Sequence, residues 1–100
     1  MFIAMNRFRI AAGRESGFEA IWRNRNSYLQ EVPGFVEFHL LRGPSENGAS
    51  LYASHSVWKS RKAFEDWTNS EAFRLAHSQG RAPDGTYLGP PQFEGFDVVM

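Results

Sequence analysis

Two polar side chains stand where the hydrophobic pattern of this chain calls for hydrocarbon, and both have the chemistry of ligand contacts. In segment 57–77, VWKSRKAFEDWTNSEAFRLAH, the positions Phe73, Ala76 and His77 share one face of a short helix. A histidine at the end of such a helix can give its Nδ1–H to the Phe73 carbonyl one turn back, which leaves Nε2 free as a neutral imidazole ligand. The alternative is a hydrogen-bonded residue at the rim of the core. In segment 2–10, alternation sets Phe2, Ala4, Asn6, Phe8 and Ile10 on one side of a strand and Ile3, Met5, Arg7 and Arg9 on the other. An unpaired carboxamide on that apolar side costs roughly 1–3 kcal/mol, so Asn6 takes a partner from the fold or from a ligand. Arg25 is a third intrusion, seven residues after Phe18 on an apolar helical stripe. Either it lays its stem over the core edge with its head in water, or its guanidinium meets an anion at a pocket rim.

The composition narrows the class of protein that these residues serve. One hundred residues with 42% hydrophobic and 15% aromatic content suit one compact domain, 1–100, with a modest core that dimerisation would reinforce. Zero cysteines excludes disulfides, thiolate ligands, iron–sulfur clusters and a cysteine nucleophile. Basic and acidic side chains balance at 11 each, which leaves no net basic footprint for nucleic acid. Neither an apolar run long enough to span a membrane nor a secretory leader is legible, so the expected location is the cytoplasm.

The elements that must position these residues are read from periodicity and punctuation. A first strand covers 2–10, and Gly13 precedes a helix over about 14–30 whose stripe is Phe18, Ile21, Trp22 and Leu29. Pro33 and Gly34 close that helix, and a strand starts over 35–41. The connection 42–49, with Gly43–Pro44 and Asn47–Gly48, returns the chain as an antiparallel hairpin into a third strand over 51–58. A helix then starts at Ser60, breaks around 68–70 and restarts to end near His77, with Ser60 and Ser70 as N-caps and Ala63, Phe64 and Trp67 on one face of its first half. Residues 78–92 carry too many Gly and Pro for regular structure and suit a lid or binding rim. The last strand is 93–100. His39 and His55 fall on the paired middle strands, but two histidines with no assured register and no nearby carboxylate fall short of a metal ligand set. Strand, helix, strand, strand, broken helix, strand is the order of an α+β ferredoxin-like split βαβ sandwich. Strands two and three are apolar on both faces, so a second copy is expected to cover the open face of the sheet and make a dimeric α+β barrel.

The PGF at 33–35, the VWKS at 57–60, and the spacing of Ala63–Phe64, Asp66–Trp67, Ser70, Phe73 and Ala76–His77 resemble the antibiotic biosynthesis monooxygenase superfamily. Within it the chain is most similar to the IsdG-type haem-degrading monooxygenases, over nearly its whole length. The resemblance implies that His77 is the proximal ligand of haem iron, that Asn6 hydrogen-bonds the distal ligand, and that Trp67 pushes on the porphyrin. Phe64 and Phe73 would join them in binding haem. It also implies that Trp22 and Arg25 border the haem cleft, with Arg25 pairing a propionate or a pocket-rim carbonyl. Where the family often carries a further arginine, this chain has Ile21, so Arg74 or Arg81 are candidates to replace its propionate contact. The implied activity is an oxidoreductase that uses haem as substrate and cofactor, with O2 and an external electron donor, a reductase or small reductant, to release iron and an open-chain tetrapyrrole. Two other readings stay open: a cofactor-independent monooxygenase acting on an aromatic polyketide or quinol, and a non-catalytic haem-binding module.

Overall fold

The computed structural model describes residues 1–25, 28–78 and 82–100, and nothing of the Ser78 side chain; Arg81 and part of the loop 78–92 lie outside the described residues. In chain order the elements are β1 (Phe2–Ala11), α1 (Glu15–Asn24), a single 3-10 turn (Leu29–Glu31), β2 (Phe35–Glu46), β3 (Ala49–Trp58), α2 (Arg61–Thr68), α3 (Glu71–Ser78) and β4 (Gln92–Asp97). The four strands pair antiparallel in the order β2-β3-β1-β4. This is the ferredoxin-like α+β arrangement that the element order predicts.

Local chemistry accounts for most boundaries. Asn47 and Gly48 have φ of 54° and 77°, the pair of positive values that a two-residue hairpin turn matched to strand twist requires. The hairpin is tighter than the sequence suggests, because β2 runs on through Gly43 and Pro44 to Glu46 with a register irregularity between Arg42 and Ser45. β2 is an edge strand, where the missing N–H of Pro44 need not cost a ladder bond. The break between α2 and α3 is built by serines. Ser60 Oγ accepts from Ala63 N–H at 3.1 Å; Ser70 Oγ accepts from Phe73 N–H at 3.2 Å and donates to the Trp67 carbonyl at 2.6 Å, closing one helix and opening the next.

Two further boundaries differ from the sequence reading. Helix α1 ends at Asn24 rather than near residue 30: Arg25 is extended (φ −76°, ψ 131°) and Tyr28 has a left-handed φ of 58°. Leu29 does reach the core, buried from the 3-10 turn, so its helical spacing from Trp22 is a coincidence of register. The last strand stops at Asp97, and Val99 and Met100 are exposed. At Gly34 the turn has a φ of +83° and a Cβ would stand 2.5 Å from the Ala63 Cβ, so this glycine lets the turn before β2 lie directly on α2. Its carbonyl accepts from Lys59 N–H at 2.8 Å.

Between the sheet and the helices the core is in two parts. Phe2, Ala4, Leu29 and Trp58 form one, extended by Phe64 and Trp67; Phe8, Ile10, Phe18 and Tyr52 form the other, extended by Trp22 and Leu40. Large side chains such as Trp58 and Tyr52 are essentially fully buried, each contributing about 1.5–3 kcal/mol of transfer free energy. The strand row separating the two parts, read across the sheet, is Leu40, Ser54, Asn6 and Phe93. Two of its four side chains are polar, and there the core is interrupted.

On the opposite face of the sheet alternation places Ile3, Met5, Leu41, Leu51, Val57 and Phe96, with His39 and His55 paired one to one. The two imidazole rings are 6.2 Å apart, and Glu37 Oε2 stands 3.3 Å from His39 Nε2. The premises of unassured register and absent carboxylate are thus corrected. Among the described residues no three His, Cys, Asp or Glu side chains gather so as to hold a metal ion.

Candidate functional site

The interruption in the core is a cleft of about 340 Å3, roofed by α1 on one side and by α2 and α3 on the other, with the sheet as its floor. Asn6, Trp22, Arg25, Phe64, Trp67, Phe73 and His77, the residues singled out from the sequence, all line it. Arg74 does not: Glu71 holds its guanidinium, Nε to Oε2 at 3.0 Å, on the outside of α3.

His77 is exposed at the mouth of the cleft, not embedded as its place on an apolar face suggests; the neighbouring Ala76 takes the buried position. Its ring is nevertheless fixed. Nδ1 lies 2.9 Å from the Phe73 carbonyl, and the ring packs on that of Phe73 with centroids 4.0 Å apart and planes 30° apart. With Nδ1–H donating to a carbonyl, Nε2 is the ring nitrogen left for a ligand. Phe73 also meets Trp67 edge-on at 4.8 Å, so one aromatic ring supports both side chains. Trp67 is further packed by Trp58 at 5.2 Å and Phe64 at 6.0 Å, and forms a wall between the cleft and a second hollow of about 530 Å3 lined by the 28–34 turn and α2.

Asn6 projects from the floor, half-buried, and among the described residues nothing hydrogen-bonds its carboxamide. On the α1 side Arg25 lies over the Trp22 indole at 4.4 Å, and that indole stacks on Phe38 at 5.7 Å and 13°. The Arg25 guanidinium has no carboxylate partner among the described residues, and burial lowers its pKa while the neighbouring Tyr87 hydroxyl raises it. Burial raises the Tyr87 phenol in turn.

The apolar lining with its unpaired donors would fit a flat group that carries its own metal and has acceptor atoms at its edge. Among the described residues Trp22 Nε1, Arg25 Nε and Trp67 Nε1 are buried donors without partners, all on residues lining this cleft. Natural proteins rarely leave such donors unpaired. A macrocyclic metal needs one protein ligand rather than a cluster of three, and His77 Nε2 is available for it. Sequence reasoning missed Ser54, Ser56 and Phe93, which share the floor with Asn6. The signal was there in the alternation Tyr52, Ser54, Ser56, Trp58, in which two serines occupy an otherwise aromatic strand face.

The sequence profile of the family described as antibiotic biosynthesis monooxygenase matches residues 1–79. The chain is 31% identical over 102 residues to a heme-degrading monooxygenase of Bacillus thuringiensis (strain Al Hakam), covering 100% of this chain and 92% of that one. Among solved structures it resembles the heme-degrader MhuD of Mycobacterium tuberculosis with two hemes bound in its active site, at 27% identity and a TM-score of 0.76, covering 100% and 97% of the two chains. The fold is shared also with SnoaB of Streptomyces nogalater, a cofactor-independent oxygenase, at 18% identity and a TM-score of 0.69, over 99% and 94%. The chain belongs to the antibiotic biosynthesis monooxygenase family and is an enzyme of the oxygenase type.

Proposed function

We propose that this protein is a haem-degrading monooxygenase that opens the porphyrin with O2 and an external reductant, releasing iron and a bilin-type tetrapyrrole. The observation that carries the reading is that one apolar slot is lined both by an imidazole fixed by the Phe73 carbonyl and by a carboxamide that has no partner among the described residues. Haem, when bound, supplies both the iron that activates dioxygen and the ring that is oxidised. His77 Nε2 would hold the iron. Asn6 Nδ2–H donates to a partly anionic acceptor, as a carboxylate in its place would not. Trp67, braced by Trp58, Phe64 and Phe73, would present a rigid wall to a macrocycle in the slot. Arg25, a cation without a carboxylate, suits a propionate at the rim.

Electrons come from outside, from a reductase or a small reductant, since the sequence has no flavin or nicotinamide fingerprint. A homodimer closed over the apolar outer face of the sheet completes the assembly. The test is aerobic turnover of the hemin complex with ascorbate, followed by mass spectrometry of the pigment. The expected result is loss of the Soret band and an oxygenated linear tetrapyrrole. A Soret band that persists for hours reduces the protein to a haem-binding module; no Soret shift on adding hemin would favour cofactor-independent oxygenation of an aromatic polyketide or quinol.

A further inference from the structure

Ser54 has no role in the reading above, and its surroundings assign it one. It is 8% exposed, lines the cleft, and lies opposite Asn6 in the β1–β3 register. The other buried serines of β3 are accounted for. Ser50 Oγ donates to Glu15 Oε2 at 2.8 Å and meets Ser45 Oγ at 2.7 Å; Ser56 Oγ accepts from Trp58 Nε1 at 3.0 Å and donates to the Ala4 carbonyl at 3.4 Å. Among the described residues the Ser54 hydroxyl has no such partner, and neither has the Asn6 carboxamide beside it. Directly opposed side chains of an antiparallel pair carry Cβ atoms only about 4.5–5.5 Å apart, close enough for both to reach one small ligand. They also sit in the strand row that lies between the two parts of the core.

We infer that Ser54 is a second hydrogen-bonding residue of the distal side, acting with Asn6 as a two-point donor set for a small polar or anionic ligand bound on the floor of the cleft. The inference rests on the haem reading for the identity of the group that brings this ligand, and on the register and burial of Ser54 for the rest. A hydroxyl and a carboxamide offer two donors that converge from adjacent strands without introducing charge, which favours an anionic acceptor over a neutral one. The side chain is small enough to leave the slot open, as threonine or valine in its place would, where leucine or phenylalanine would narrow it.

The experiment compares Ser54→Val with Ser54→Thr, which are alike in shape and differ in the hydroxyl. With the ferric hemin complex of each, fluoride affinity and the pH midpoint of the water-to-hydroxide optical transition are measured. Loss of one hydrogen bond to a charged acceptor predicts fluoride affinity about ten- to hundredfold weaker in Ser54→Val. It also predicts a midpoint about one pH unit or more higher, because bound hydroxide loses a donor. Ser54→Thr should stay close to the parent in both. Equal behaviour of parent, Thr and Val variants overturns the inference and leaves the haem reading intact. An equal loss in Thr and Val variants traces the effect to the added methyl groups and overturns it too. Failure of the parent to bind hemin overturns the haem reading itself, and is recognised before any variant is compared.

Discussion

Replacing His77 by alanine should separate ligand binding from folding, because the side chain is exposed and its internal contacts are few. The substitution removes the hydrogen bond to the Phe73 carbonyl and the ring contact with Phe73 at 4.0 Å. Those two losses amount to about 1–2 kcal/mol, offset by about 0.5 kcal/mol from the better helix propensity of alanine. The net cost of about 1 kcal/mol corresponds to a fall of roughly 4–8 °C in Tm for a domain of this size. The effect on hemin is of another order. Loss of an outer-shell partner of a metal ligand already costs about 10–100-fold in affinity, so loss of the ligand should exceed about 100-fold. Soret titration of hemin into parent and variant, with thermal melts of both apoproteins, measures the two effects separately. Free imidazole added to His77→Gly should restore much of the parent spectrum by occupying the vacated position. Unchanged hemin affinity and spectrum in His77→Ala, with Tm moving as calculated, would refute the proximal role.

Arg25→Met keeps the stem and removes the charge: affinity for hemin should fall while affinity for its propionate dimethyl ester stays level, a coupling of about 1 kcal/mol at this partly solvated rim. Tyr52 is held neutral by burial and by donating to Glu19 Oε2, with its pKa pushed up to about 12. Since the folded value lies above the unfolded one, its stabilisation is complete below about pH 10 and should be lost as pH rises from 10 to 12, by up to about 2–3 kcal/mol. Urea melts across that window should show the decline in the parent and its absence in Tyr52→Phe. Gly34→Ala combines a left-handed φ with a Cβ 2.5 Å from that of Ala63; it should lose about 2–4 kcal/mol and lower Tm by more than about 10 °C. If the outer sheet face joins two copies, Met5→Glu should yield monomers in sedimentation equilibrium, and an unchanged mass would count against that interface.

The fold was legible because its punctuation is local. Ser60, Ser70 and Asn47–Gly48 act through hydrogen bonds and dihedral preferences within three or four residues, and the structure uses each as the sequence suggests. Where a boundary was misread, long-range packing decided it. Leu29 keeps a helical spacing but enters the core from a separate turn, and β2 carries Pro44 because it lies at the edge of the sheet. In the candidate site, His77 and Asn6 stood out as polar residues on apolar faces. Ser54 did not, since serine is small, common and tolerated on a strand. Only the register that sets it against Asn6, and the interrupted core around them, distinguish it from Ser50 and Ser56.

The divided interior bears on how the chain breathes. With Asn6 and Ser54 between two apolar nests that touch through the Trp22–Phe38 stack, α2 packs on one nest, α3 reaches it through Phe73 on Trp67, and α1 packs chiefly on the other, so the helices can open one at a time from the sheet. Amide exchange in α3 should then outpace that in β1 and β3 by orders of magnitude in the empty protein. A guest touching both nests would act as the missing keystone, tying separate openings into one cooperative event and adding about 2.7 kcal/mol at a hundredfold excess over its Kd. A vacant molecule should then be cut by an added protease faster than a loaded one.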